Sequence, residues 1–256
     1  MSWITLKCII LSDAIYWEIV YNVKKIADRR RFMDWSLDGK VYKNTDMAPV
    51  GCNDCAGCSS CCREMGDTVI QDPFDMWLFA SNMRVAGGMP ISFEILISED
   101  GPWELSVQDG LILPNIKMVE DGRCPFLGEN GRCSIHKIRS GLCRLFPLSR
   151  GYDDEGRVIY YVLNSEIGCE KLKGPGEEVL IRDWLEYPNI QQYEEYISVW
   201  HKLKKDIKAK LLECNGAQSG TLQAKFLDTF YSRSYEKDFF ADFYGRVEFF
   251  RNNILK

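Results

Sequence analysis

The sequence has little histidine, no long apolar run and no excess of basic charge. His136 and His201 are the only histidines in 256 residues, so ligands in any number must come from other residue types. The most apolar stretch of the N-terminus, Trp3 to Tyr21, is interrupted by Lys7, Asp13 and Glu18, and its longest uncharged run is Cys8 to Ser12. A membrane span needs about 20 apolar residues in succession, so the segment reads as an amphipathic helix and no membrane partner is expected. No small-residue cleavage site follows a compact apolar stretch, and the expected location is therefore cytoplasmic. Lys and Arg total 32 against 37 Asp and Glu, a net charge of −5. That balance offers no electrostatic case for a nucleic-acid partner. Internal repeats and low-complexity tracts are absent.

What is abundant is cysteine. There are eleven, an odd number. In a reducing compartment disulfides are disfavoured, so this density points to metal or redox chemistry. The chain is long enough for one large domain or two small ones, and for a core that folds without disulfides. Its 46% hydrophobic and 27% charged residues are ordinary for a globular protein.

Residues 3–35 carry a helical pattern with a basic end at Arg29, Arg30 and Arg31, where cations suit the helix dipole. Asp38-Gly39 and Pro49 mark a loop. Asp72-Pro73 predicts a helix start, with Asp as N-cap and Pro at the first helical position, running through Phe74, Trp77, Leu78 and Phe79 to Gly87-Gly88. Residues 91–97 and 103–113 read as short strands or a hairpin split by Asp100-Gly101. Residues 157–163 read as a strand. Beyond Gly174-Pro175-Gly176 the spacing of aromatic and aliphatic residues predicts helices over 177–186, 190–214 and 220–255. The expected fold class is α+β: a cysteine-rich metal-binding core with a few short strands, flanked by an N-terminal helix and a helical C-terminal half. The corresponding segments are 1–48, 49–173 and 174–256.

The first cysteine segment holds Cys52, Cys55, Cys58, Cys61 and Cys62. Two intervening residues let two thiolates converge on one ion. The second holds Cys124-Pro125-Phe126-Leu127, Cys133-x2-His136 and Cys143-Arg144-Leu145-Phe146-Pro147. Cys169 adds a tenth candidate ligand. Zinc and iron–sulfur readings both stand, because all-thiolate sites suit both. Cys52, Cys55, Cys58 and Cys62 form C-x2-C-x2-C-x3-C, the bacterial ferredoxin spacing, and Cys124-Pro125 supplies a remote Cys followed by Pro. A 4Fe–4S cluster is therefore the preferred cofactor and Zn2+ the alternative. Arg63, Arg123, Arg132, Lys137, Arg139 and Arg144 sit beside these positions, where cations would lower thiol pKa values. Asp72 reads as a helix cap, His201 as structural, and Trp77, Trp103, Trp184 and Trp200 as packing residues. Cys8 and Cys214 read as inert thiols.

At these residues the sequence resembles the YkgJ-like cysteine-cluster family, a zinc- or iron-chelating domain. The family's C-x2-C-x2-C-C run falls on Cys55, Cys58, Cys61 and Cys62. Its later motifs fall on Cys124 to Leu127, Cys133 to His136 and Cys143 to Pro147. The resemblance covers roughly residues 50–170. Cys52 precedes the family's minimal run, and Ser140 stands after Arg139 where the family often has Pro. Some larger relatives are linked to flagellin lysine methylation, but no nucleotide-binding glycine motif occurs here. Three functions are thus in view. The first is a redox or catalytic iron–sulfur protein. The second is a structural zinc module whose helical C-terminal half meets a protein partner. The third, by the resemblance alone, is a protein-modifying enzyme.

Overall fold

Two compact units account for the chain in the computed structural model, which describes residues 36–51, 59–85, 87–164 and 177–256. The helix expected over 3–35 lies outside the described residues, as do Cys8, Cys52, Cys55, Cys58 and Cys169. The larger unit comprises Met33–Leu105 and Pro114–Lys202, and the smaller one includes Ser106–Leu113 and Leu203–Lys256. Helices and short antiparallel strands make the fold α+β.

In the larger unit β1 (Ser36–Leu37), β6 (Val158–Asn164) and β5 (Leu148–Tyr152) form one antiparallel sheet, with Leu148 opposite Val162 and Tyr152 opposite Val158. The β5–β6 turn is closed by Asp153. Its carboxylate accepts the Glu155 and Arg157 amides at 3.1 and 2.8 Å, and Gly156 supplies the positive φ of +79°. A second pair joins β2 (Met47–Gly51) to β7 (Glu177–Leu180). Here Gly51 faces Glu177 so closely that a Cβ would lie 2.7 Å from the Glu177 Cβ. The core between these sheets contains Ala48, Val50, Leu145, Leu148, Tyr160, Val162, Ile181 and Leu185.

Helix α1 (Pro73–Asn82) begins as the sequence predicts. The Asp72 side chain accepts from the Phe74 and Asp75 amides, and the Asp75 side chain returns a bond to the Asp72 amide, a complete capping box. It ends at Asn82, short of Gly87-Gly88, because Met83 is already extended. Residues 91–97 are not a strand. Ser92 accepts from the Ile95 amide and caps a short helix α2 (Phe93–Leu96). The hairpin of β3 (Trp103–Gln108) and β4 (Leu111–Ile116) turns at Asp109-Gly110, not at Asp100-Gly101. Both turn residues have positive φ, +55° and +82°, the conformation of a two-residue type I′ hairpin loop. Helix α3 (Gly141–Leu145) precedes β5, and α4 (Ile181–Leu185) follows β7. The expected helix over 177–186 thus opens as a strand, because Val179 and Leu180 pair with Ala48 and Met47.

Helix α5 spans Ile190–Glu213. In the smaller unit α6 (Gly216–Leu227), the π turn Asp228–Ser232 and α7 (Phe239–Asn253) pack the fully buried Phe226, Phe230, Phe243 and Phe250. The single helix expected over 220–255 is interrupted. Arg233 and Ser234 turn the chain, their carbonyls accept from Arg246, and Asp238 then caps α7. No helix among the described residues is long and apolar enough to cross a membrane.

Candidate metal centre

The two cysteine segments meet as neighbouring strands. Arg63 and Arg123 form an antiparallel bridge, flanked by bonds from Cys124 N to the Cys62 carbonyl (2.8 Å) and from Glu64 N to the Gly122 carbonyl (2.7 Å). Cys62 therefore lies opposite Cys124, and opposed residues present their side chains on one face. A second bridge, Leu127 to Cys133, folds the chain back so that Cys133 returns beside Cys124. The carbonyl of Phe126 holds this turn by accepting Ser134 N at 2.8 Å and Ser134 Oγ at 3.0 Å. Phe126 in turn packs edge-on against Phe79 of α1, ring centres 5.6 Å apart. Cys143 comes from α3, where Ser140 Oγ donates to its Sγ at 3.3 Å.

These thiols share one cavity of about 890 Å³ in the larger unit. Cys61, Cys62, Cys124, Cys133, His136 and Cys143 line it, together with apolar walls from Val69, Ile116 and Leu142. Gly51 and Leu163, which stand near the ends of the segments carrying Cys52–Cys58 and Cys169, line it as well. Cys62 acts electrostatically on Cys124, Cys133 and Cys143, so thiols of both cysteine segments are within electrostatic reach of one another. Among the described residues no three His, Cys, Asp or Glu side chains stand close enough to hold an ion.

The thiols differ in character. Cys62 is lowered to about 7, chiefly by a hydrogen bond with Cys61, with Arg63 adding to it against the opposing effect of burial. Burial pushes Cys124 up to about 11 and Cys143 up to about 12, and it raises Cys133. Of the cations expected to offset thiolate charge, Arg63 acts on Cys62 and Arg139 on Cys133. Arg144 is instead built into the wall. It donates to the Lys137 and Arg139 carbonyls, lies 5.4 Å from the Tyr187 ring centre and shares Glu186 with Arg139.

His136 is held differently from the thiols. Arg139 donates to its Nδ1 at 2.9 Å and to its carbonyl. A guanidinium can only donate, so Nδ1 accepts and the neutral ring carries its proton on Nε2. Ligation through Nε2 would require the Arg139 contact to break.

Residues 54–170 match a family model described as "CxxCxxCC: Putative zinc- or iron-chelating domain". Residues 54–170 are therefore similar to that family. No curated protein and no solved structure matches the chain. The matched stretch runs from after Cys52 through α1, the hairpin and α3 to β6 and takes in the cysteines from Cys55 to Cys169. Its thiol-rich, partly apolar wall fits a soft-ligand metal, since thiolates select zinc and iron–sulfur centres. Other expected positions fall outside it or serve packing. His201 stacks on Tyr152 with ring centres 3.8 Å apart, and Trp103 and Trp200 are buried.

One further acidic residue, close after the first cysteine segment in sequence, bears on the site. Asp75, in α1, accepts from the Gly141 amide at the start of α3. Its sequence signal is its place, with Asp67 and Asp72, close after the cysteine run, where a carboxylate could orient ligands or bind a substrate.

Proposed function

We propose that the protein carries an iron–sulfur cluster on thiolates of both cysteine segments and uses it in redox or catalytic chemistry. Cys62, Cys124, Cys133 and Cys143 are the described ligands of this reading. Cys52, Cys55, Cys58, Cys61 and Cys169 are its further candidates. The observation that supports it most is the ladder placing Cys62 opposite Cys124, with Cys133 and Cys143 on the same cavity wall. The two segments together offer more thiols than one tetrahedral ion takes. A cluster held there supplies electron transfer, or an iron site open to a bound molecule. The half-buried thiols and apolar wall would limit water at such a centre. Anaerobic purification followed by iron and sulfide analysis, with electron resonance on reduction, tests the proposal. A colourless protein with stoichiometric zinc and no iron would overturn it.

The zinc reading retains one observation in its favour, the two-residue gap that brings Cys133 and His136 to the same cavity. The Arg139 bond to Nδ1 weighs against His136 as its fourth ligand. Structural zinc binding is coupled to folding. If the cooperative melt survives complete metal removal, that reading fails.

A further inference from the structure

We propose that Asp75 is a positioning residue of the metal centre, suspending the helix that carries Cys143 from α1 through the Gly141 amide. The inference rests on the reading of Cys143 as a metal ligand.

Helix α1 bears none of the candidate ligands, yet its first turn grips the start of α3, which carries Cys143. Asp75 Oδ1 accepts Gly141 N at 2.8 Å, and Asp75 Oδ2 accepts Asp72 N at 2.9 Å. The carboxylate is 1% exposed, so these bonds are made away from solvent competition. Asp72 fixes the same turn by accepting Phe74 N and Asp75 N. The two oxygens of one side chain thus tie together the starts of two helices 66 residues apart in sequence.

Gly141 is confined on its other side. A Cβ there would lie 2.6 Å from Tyr193 Oη and 3.2 Å from Tyr187 Oη. Those rings stack at 3.7 Å, and Arg150 donates to Tyr193 Oη at 3.4 Å. The first residue of α3 is therefore clamped between a carboxylate and two tyrosine hydroxyls, and only a residue without a side chain fits.

Helix α3 needs that help. It has five residues, too few to stabilise itself through its own hydrogen bonds. Each residue of a helix turns the side chain by about 100°. A slip of one residue at Gly141 would carry Cys143 off the cavity wall and break its contact with Ser140, which is 1% exposed. Asp75 therefore acts on the centre through Cys143 geometry without touching the metal.

The test compares the wild type, Asp75→Ala, Asp75→Asn, Gly141→Ala and Phe226→Leu in the full chain. The last is a core truncation in the smaller unit that controls for general destabilisation. Two rates are measured: iodoacetamide labelling of Cys143 in the metal-free chain, by peptide mass spectrometry, and transfer to EDTA of zinc loaded as the probe metal. Asp75→Ala and Gly141→Ala should each label Cys143 about tenfold faster or more, the opening expected when a buried polar partner is lost. Zinc transfer should accelerate in parallel. Asp75→Asn keeps an acceptor for Gly141 N at the expense of the capping-box bond and should restore both rates toward wild type. Equal labelling in Asp75→Ala and wild type would overturn the proposal, as would an Asn variant no better than Ala, or equal acceleration in Phe226→Leu. If wild type retains no metal while the labelling pattern holds, the ligand reading fails and the clamp stands.

Discussion

Replacing Phe79 with alanine should destabilise the larger unit by about 3–5 kcal/mol, the usual cost of emptying a buried phenylalanine site. Phe79 is fully buried, and its ring meets Trp103 at 5.0 Å and 60° and Phe126 at 5.6 Å and 64°. Edge-on pairs of this kind are worth about 0.5–1.5 kcal/mol each beyond area burial. The Phe126 contact supports the turn from Cys124 to Ser134, so the loss should also reach the cysteine segment. The assay is urea unfolding of the metal-free chain, followed by tryptophan fluorescence because Trp103 abuts the altered site. The double variant Phe79→Ala/Phe126→Ala should fall short of additivity by about 1 kcal/mol, the coupling expected for residues in contact. A cost under about 1.5 kcal/mol, or strict additivity, would show that this aromatic contact does not hold the cysteine turn to α1.

Four further outcomes follow from the same geometry. In the metal-free chain Cys62 should alkylate with a midpoint at about pH 7, and Cys61→Ala should move the midpoint toward the ordinary thiol value of 9.0; an unmoved midpoint would discount the Cys61 hydrogen bond. Because Cys124, Cys133 and Cys143 are held protonated, loading metal onto them and Cys62 at neutral pH should release about three to four protons, and affinity should climb with pH. Calorimetry in buffers of different ionisation enthalpy counts those protons, and a count near zero refutes the four-thiol set. Burial and the neighbouring Asp72 raise the Asp75 carboxyl, so below about pH 4 both folded and unfolded chains are protonated there and the group contributes nothing. As pH rises toward the folded value the folded state holds the extra proton and stability falls, a slope that Asp75→Asn should remove; parallel stability curves for the two proteins would contradict this. Finally, Gly51→Ala should cost about 1–3 kcal/mol by forcing β2 from β7, and unaltered melting would mean that the β2–β7 pair yields freely there.

The cysteine pattern that matches the family model was legible because ligand spacing is a local property. The N-cap at Asp72 was legible for the same reason, since its donors and acceptor lie within four residues. The meeting of Cys62 with Cys124 was not, because strand partners distant in sequence leave no mark in either segment. Tertiary pairing also explains the errors. Residues 177–180 have helix-compatible composition but complete the β2 pair, and Asp109-Gly110 turned the hairpin where Asp100-Gly101 had been expected. Gly101 instead packs beneath the carbonyls of α2. The role of His136 needed its partner. A histidine separated from a cysteine by two residues reads as a ligand from spacing alone, and the Arg139 contact on its Nδ1 is visible only in the fold.

The Cys62–Cys124 ladder also sets an order of events during synthesis. The first cysteine segment leaves the ribosome well before the strand it must pair with, and at about 5–20 residues per second the delay is on the order of 3–12 s. For that interval Cys61 and Cys62 are solvent-accessible thiols without the opposing segment, and any ion they capture is held outside the finished cavity. On the reading of these thiols as ligands, loading of the finished site has to follow closure of the ladder, which makes the arrival of Cys124 the step that separates a scavenged ion from a built centre.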